Sequence, residues 1–507
     1  MNASSPKSLL DLLSPGGVDR PAIVVPEENV RVTYRGLRSQ VEALASALVS
    51  AGVGRGDRVG IALPNGLPMI LSFLAASIAG TAAPLNPAYK EDEFRFYLDD
   101  TNARVLILPP DGAGAARRAA GDRVRILTVT MDSDGSVKLA SSAAGTTGAS
   151  APTPSVNDVA LILHTSGSTG RPKRVPLTHA NLSISAQNVA RSYTLAADDV
   201  SMCVMPLFHV HGLVASTLAT LATGGTVVVP AKFNPLSFWR VAREQRVTWY
   251  SAVPTLHQLL LARAEAGAPK PDGAERLRFI RSCSASLPPQ VMHDLEAAFG
   301  APVLEAYGMT EAAHQMASNP MPPAARKPGS VGRGTDVQIS IMDAAGRHLS
   351  AGERGEVVIK GPNVITGYEN NPEANASSFV DGWVRTGDQG FLDADGYLTL
   401  VGRIKELINR GGEKISPREV DEVLLAHPAV AEAVCFGVPH PTWGEEVAAA
   451  VVVREPVTES ELLAYCRERL ADYKRPKQIH ITDAIPRTAT GKIQRRIVAQ
   501  AYSQKAS

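Results

Sequence analysis

Thr165-Ser166-Gly167-Ser168-Thr169-Gly170-Arg171-Pro172-Lys173 alternates hydroxyl residues with glycines and closes on a proline and a lysine. Glycine permits positive φ and lets a backbone approach a ligand closely. The hydroxyls add donors and the lysine adds a point charge, a combination suited to a polyanionic phosphate tail. The spacing is not that of the P-loop, which requires G-x-x-x-x-G-K-[ST], and no Gly-Lys-Ser/Thr triplet occurs in the chain. Apolar, β-prone residues stand on both sides, 159–163 before the run and 175–177 after it. A flexible Ser/Gly linker seldom sits between two such segments, so the run reads as a strand–loop–strand phosphate grip.

Outward from this loop, size and composition bound the rest. A chain of 507 residues exceeds one ordinary domain and points to roughly three structural units. Lys plus Arg number 51 and Asp plus Glu 50. That balance gives no support for bulk nucleic-acid or anionic-membrane binding. With 44% apolar and 20% charged residues the composition is globular. Cys203, Cys283, Cys435 and Cys466 form neither a C-x-x-C pair nor a disulfide framework, which fits a reducing compartment. The N-terminus has no long apolar h-region, and the apolar stretch 69–79 is too short to span a bilayer. The last residues are not Ser-Lys-Leu, so the cytoplasm rather than the peroxisome is expected. Oligomeric state is left open.

Residues 22–25 and 30–33 read as a hairpin, and Thr33 as the cap of a helix carrying Tyr34, Leu37, Val41, Leu44 and Leu48 at helical spacing. Strands at 59–63 and 105–108 enclose a helix over 68–79, so a mostly parallel sheet covered on both faces is predicted. Residues 111–157 are expected to contain a surface loop ahead of the phosphate run, with one short β segment at 126–129. From 200 to 304 the α/β pattern returns, with strands at 226–230, 248–253 and 278–282 and helices at 236–245 and 255–266. Short strands at 338–342, 355–360 and 397–401 predict an antiparallel β unit. Beyond 405 a compact α+β module follows, with helices at 417–426 and 459–470 and strands at 430–438 and 448–453.

Further runs carry chemistry: E-A-Y-G-M-T-E at 305–311, W-V-R-T-G-D at 383–388, G-R-I-K-E-L at 402–407, G-G-E-K at 411–414 and P-R-T-A-T-G-K at 486–492. Together and in this order they resemble the adenylate-forming superfamily of acyl-CoA synthetases, adenylation domains and luciferases. The resemblance covers nearly the whole chain. It implies an α/β fold: a large N-terminal domain of two α/β sheet units plus a β unit (1–402), a hinge (403–406) and a small mobile α+β C-terminal domain (407–507). It implies two steps. A carboxylate attacks the α-phosphorus of ATP to give acyl-AMP and pyrophosphate, and the coenzyme A thiol then displaces AMP.

The resemblance carries roles onto individual positions. Thr165, Ser166, Gly167, Thr169 and Lys173 would grip the β- and γ-phosphates. Tyr307, between Ala306 and Gly308, would stack on adenine, with Gly308 allowing close ligand approach. Thr310 would touch the α-phosphate, and Glu311 would hold Mg²⁺, which takes one or two carboxylates beside phosphate oxygens. Asp388 would accept both ribose hydroxyls, since a carboxylate is a bidentate acceptor, with Arg403 assisting. Lys405 matches the hinge. Lys492 would catalyse adenylation by bridging carboxylate and α-phosphate. For coenzyme A, Gly411 and Gly412 resemble the pantetheine tunnel and Trp443 an aromatic packing position. Lys474 and Arg475 read equally as phosphate contacts or as solvated charges.

For the acid, the resemblance implies that P-L-F-H-V-H-G, R-S-C-S-A-S-L and A-A-H would place His209 at the position that gates the carboxylate in relatives and Ser284 and His314 by the acyl end of the pocket. An apolar acyl chain would leave such groups unpaired, at a cost of about 1–3 kcal/mol each. The stretches L-F-H-V-H-G, W-Y-S-A-V-P-T, F-I-R-S-C-S-A-S-L and K-P-G-S-V-G resemble the oxalyl-CoA synthetases of plants and fungi. Oxalate is a dianion, and His209, Ser284 and His314 would hold its distal carboxylate by hydrogen bonds, with one imidazole protonated. His211 is expected to be structural. The competing readings are a CoA ligase for malonate, a coumarate-like acid or a medium-chain acid. Malonate-activating relatives carry an arginine where Ala306 stands here. More distant is a catalytically silent nucleotide-binding protein, against which the intact Thr169, Lys173, Glu311, Asp388, Arg403 and Lys492 argue.

Overall fold

Parallel strands buried on both faces organise the large part of the chain. The computed structural model describes residues 5–13, 17–141, 150–165, 172–264, 269–488 and 492–503. In one seven-stranded sheet the spatial order is Val137–Ser141, Arg125–Met131, Ala103–Leu108, Arg58–Ile61, Thr81–Pro84, Val159–Thr165 and Lys173–Thr178. Its inner pairings are parallel and its two outermost are antiparallel. Val105, Leu106, Ile107 and Leu108 are all buried, the unalternating pattern of a sheet covered on both faces.

A nine-stranded sheet runs in the order Arg333–Gly334, His314–Ser318, Val303–Met309, Phe279–Ser282, Trp249–Ala252, Val200–Cys203, Thr226–Val228, Pro21–Val25 and Val30–Thr33. The helix Leu67–Ala79 is buried on every side, in a core that draws Ile23, Val227 and Val229 from this sheet and Val59, Ile61 and Leu161 from the other. Its uniform apolarity therefore reflects an interior position between two sheets. No helix among the described residues is long and apolar enough to cross a membrane.

The antiparallel unit comprises Gln338–Met342, Gly355–Lys360, Phe379–Val380, Trp383–Leu392 and Leu398–Arg403. In its register Asp388 lies opposite Arg403. The C-terminal module wraps the strands Ile408–Arg410, Glu413–Ile415, Val430–His440, Gly444–Val453 and Gln478–Ile481 with the helices Pro417–Leu425, Glu459–Arg469 and Arg495–Ser503.

Two stretches hold more regular structure than their sequence suggests. Residues 111–157 carry the helix Gly114–Ala120 and the strands Arg125–Met131 and Val137–Ser141, the first of which contains the short β segment expected at 126–129. The helix packs Ala116, Ala119 and Ala120 inward, and alanine supplies too little apolar contrast for a periodic pattern to stand out. W-V-R-T-G-D belongs to one ten-residue strand, Trp383–Leu392, in which Val384, Thr386, Asp388 and Gly390 are the buried alternates. The strand period of two is present, but half of it is written in polar residues.

Candidate active site

Ligand sites in open parallel sheets form beyond the carboxyl ends of the strands, and the predicted residues gather there. Val200–Cys203 leads into His209 and His211, Phe279–Ser282 into Ser284, and Val303–Met309 into Thr310 and Glu311. Tyr307, Gly308, Ser284, Asp388, Arg403 and Lys492 all line one cavity of about 330 Å³ between the large part of the chain and the C-terminal module.

On the nucleotide side of this cavity, Tyr307 donates its hydroxyl to Asp388 Oδ2. Arg403 Nε lies 2.8 Å from Asp388 Oδ1. Burial raises the Asp388 carboxyl above its ordinary range, while Arg403 and the Tyr307 hydroxyl act in the opposite direction. Both Asp388 oxygens thus have a fixed protein donor and retain lone pairs for a diol. Glu311 is buried, and Tyr368 donates its hydroxyl to Glu311 Oε1 at 2.8 Å. Lys173 Nζ sits 4.4 Å from the centroid of the Tyr368 ring. Burial lowers the Lys173 ammonium, Glu311 opposes that shift and Lys405 adds to it. Lys405, in the turn Ile404–Glu406, is therefore within electrostatic range of the phosphate-loop lysine. Thr165 pairs directly with Lys173 across the two strands. Ser166, Gly167 and Thr169 lie outside the described residues. Thr310 opens the turn Thr310–Ala312 and is buried.

Lys492 connects the two sides. Burial lowers its ammonium first, Arg403 adds to that, and Asp388 and Glu311 oppose it. Its own charge helps to hold His209 neutral. One lysine of the C-terminal module thus faces both the nucleotide side and the acid side.

On the acid side, Ser284 and His314 both have positive φ, +74° and +122°. Non-glycine residues held there cost about 1–3 kcal/mol each and cluster at functional sites. His211 N–H donates to His209 Nδ1 at 3.2 Å, so neutral His209 carries its proton on Nε2. His211 Nδ1 lies 3.0 Å from Ser284 Oγ and its Nε2 2.6 Å from Ser251 Oγ. The His211 and His314 rings are 5.1 Å apart. His209, Ser284 and His314 are accordingly one cluster, with His211 as the structural ring between them. The protein alone favours the neutral form of each of these imidazoles. Burial, aided by Lys492, brings His209 down to about 3, and burial with Arg281 holds His211 and His314 well below the usual range. Gly308, which lines the cavity, has a second constraint. A Cβ there would lie 2.2 Å from His314 O, so the missing side chain makes room for the neighbouring strand.

The coenzyme A candidates lie away from this cavity but partly together. Gly411 N–H donates to Trp443 O at 2.8 Å, and a Cβ on Gly411 would meet the Trp443 ring at 2.7 Å. Gly412 follows with φ +96°. Trp443 is 45% exposed and carries Arg410 over its ring. Lys474 is separate, its Nζ held by both oxygens of Glu419 at 2.7 and 2.8 Å. Arg475 donates to Leu470 O and Arg467 O.

Three residues of the site escaped the sequence reading. Tyr368 orients Glu311. Arg281 is fully buried behind His211 and His314. Glu305 lines the cavity with Oε1 accepting Leu287 N–H at 3.0 Å, Oε2 without a hydrogen-bond partner among the described residues and burial raising the carboxyl to about 7. Only Glu305 left a signal, as a charged residue inside an apolar strand.

Comparison with known proteins gives a consistent picture. Residues 15–369 match the family model described as AMP-binding enzyme, and residues 419–492 match its C-terminal domain. A protein of Humulus lupulus named probable CoA ligase CCL9 is 50% identical over 96% of this chain and 94% of its own length. The oxalate–CoA ligase of Arabidopsis thaliana is 48% identical over 100% of both chains. Among solved structures, ATP-bound MatB from Rhodopseudomonas palustris is 30% identical and superposes with a TM-score of 0.88 over 99% of this chain and 100% of that one. The apo form of the same protein gives 0.78.

Proposed function

This chain belongs to the AMP-binding enzyme family, and from that premise we propose that it is an acid–CoA ligase whose acid is oxalate. In the first step an oxalate oxygen attacks the α-phosphorus of ATP, the bond to the β-phosphate breaks, and pyrophosphate leaves oxalyl-AMP. In the second, the coenzyme A thiol loses its proton, sulfur bonds to the acyl carbon, and AMP departs.

The residues present fit these substrates. Asp388, held by Tyr307 and Arg403, accepts the ribose hydroxyls beside the Tyr307 ring. Thr165 and Lys173 frame the pyrophosphate end, and by the family resemblance Ser166, Gly167 and Thr169 would add donors there. Lys492 neutralises charge that develops between the incoming carboxylate and the α-phosphate. A Mg²⁺ ion would be held by Glu311, and bound there it would neutralise phosphate charge. The fit is that of a single buried carboxylate oriented by Tyr368, without a group of three or more His, Cys, Asp or Glu ligands among the described residues. Such a sparse donor set suits an ion that keeps waters and phosphate oxygens.

For the second step the C-terminal module, from 407 onward, turns about 403–406 at Lys405. This brings the Gly411, Gly412 and Trp443 face to the acyl carbon and carries Lys492 away. The greater likeness to an ATP-bound relative than to its apo form supports reading the present arrangement as the adenylating one.

The observation that carries the choice of acid is the polar cluster of His209, Ser284 and His314, two of whose members are held at positive φ. A hydrocarbon acyl chain would leave it unsatisfied. The test is AMP release with oxalate, malonate, succinate, coumarate and octanoate, each with and without coenzyme A. Oxalate is expected to give the highest kcat/KM, and a preference for coumarate or octanoate would refute the reading.

A further inference from the structure

Arg281 is fully buried, yet each of its partners is neutral. Its Nε donates to Tyr193 Oη at 2.9 Å, one terminal nitrogen to Ser251 Oγ at 2.9 Å and the other to Gln315 Oε1 at 3.0 Å. The same two nitrogens face His211 Nε2 at 3.4 Å and His314 Nδ1 at 3.5 Å. Among the described residues no carboxylate forms an ion pair with it. A buried cation without a counter-ion is costly, and such a charge is retained where something else supplies the anion.

Proton directions follow from the fact that a guanidinium only donates. Because Arg281 faces His211 Nε2, that nitrogen bears the lone pair, and Ser251, itself accepting from Arg281, gives its proton to Nε2. His211 Nδ1–H then donates to Ser284 Oγ, which leaves the Ser284 hydroxyl proton for the cavity that Ser284 lines. On the other branch Arg281 faces His314 Nδ1, so the His314 proton sits on Nε2. His209 already carries its proton on Nε2. All three groups of the acid cluster are thereby set as donors, with one fixed positive charge behind two of them.

We propose that Arg281 is a positioning and specificity-determining residue: it sets Ser284 and His314 as hydrogen-bond donors and supplies the buried positive charge that selects a dianionic acid over a monoanionic one of the same size. This rests on the reading of the chain as an oxalate ligase. It explains how neutral imidazoles would hold a second carboxylate, since the balancing charge sits one shell further out.

The experiment compares oxalate with oxamate, which replaces one carboxylate by a neutral amide at nearly equal size. Kinetics are measured for wild type, Arg281→Met, Arg281→Lys and Ser251→Ala, with melting temperature recorded for each. Arg281→Met is expected to raise KM for oxalate roughly 10- to 100-fold, the range for losing a charged hydrogen-bonding partner. KM for oxamate should change only about 2- to 3-fold, and kcat at saturating oxalate should stay within about 3-fold, as for lost ground-state binding. Arg281→Lys restores part of the oxalate preference. Ser251→Ala, which interrupts the chain but keeps the charge, weakens both acids alike. A general packing defect would instead raise KM for ATP and both acids together.

An oxalate KM unchanged from wild type in Ser251→Ala, or equal loss for both acids in a folded Arg281→Met, overturns the role of Arg281 while leaving oxalate as the substrate. A wild type that prefers a monocarboxylate overturns both readings.

Discussion

Removing one oxygen atom, in Tyr368→Phe, isolates the orientation of Glu311. The Tyr368 hydroxyl donates to Glu311 Oε1 at 2.8 Å, while its ring lies beneath Lys173 Nζ at 4.4 Å. Phenylalanine keeps the ring and its cation–π contact and deletes only the donor. Burial, followed by the adjacent Glu311 carboxylate, pushes the phenol above its ordinary range, so in the wild type the hydroxyl remains a donor at every working pH. A hydrogen bond to a charged group is worth about 1.5–3 kcal/mol, and lost outer partners of metal ligands cost about 10- to 100-fold in metal affinity. The expected result is a Mg²⁺ concentration for half-maximal pyrophosphate release raised about 10-fold or more, with kcat at saturating Mg²⁺ nearly restored. Tyr368→Leu should add a loss at Lys173 of about 0.5–2 kcal/mol, seen as weaker ATP binding. Pyrophosphate release titrated with MgCl₂ at saturating ATP and acid is the assay. If Tyr368→Phe shows the wild-type Mg²⁺ dependence, Glu311 is not the metal carboxylate or does not rely on Tyr368, and the reasoning fails.

Lys492→Ala should lose about 10²–10³-fold or more in adenylation, as for a removed transition-state charge partner, yet still convert supplied oxalyl-AMP to the thioester; equal loss of both half-reactions would count against its role. Ser284→Ala and His314→Ala should raise KM for oxalate more than KM for ATP, measured by AMP release, and an unchanged oxalate KM in both would remove them from the pocket. Glu305 tests the electrostatics of the cavity. Its carboxyl is raised from 4.5 to about 7 by burial, so its favourable contribution is complete below pH 4.5 and is lost as pH rises through 7. That amounts to about 3 kcal/mol over the interval. Glu305→Gln should therefore melt above the wild type at pH 8, with the gap closing towards pH 5, and a gap independent of pH would refute the shifted carboxyl.

Much of the molecule is legible in the sequence because its signals are local. The hairpin 22–33 and the helix begun at Thr33 fold as read, since strand residues, cap and apolar period agree. Residues 159–165 and 173–178 are likewise the paired strands on either side of the phosphate run. Other elements were hidden for physical reasons. Glu91–Thr101 buries only Phe94, Leu98 and Thr101, one thin stripe on an acidic helix. Within the acid cluster His209, Ser284 and His314 were visible as residues, but their protonation was not. That depends on burial, on Lys492 beside His209, and on Arg281 beside His314, a residue that resembles an ordinary edge residue in F-I-R-S. Contacts between distant segments, such as Tyr368 with Glu311, leave no trace in spacing.

The closeness of Gly308 to His314 limits how this pocket can diversify. Any side chain at 308 would strike the backbone carbonyl of 314, not merely its ring, so shrinking His314 would not make room for it. Position 308 is thus closed to inheritance of new specificity unless the whole turn between the two strands is rebuilt. A lineage moving from one acid to another would vary positions such as His209, Ser284 or the side chain at 314 and carry the same glycine through each change.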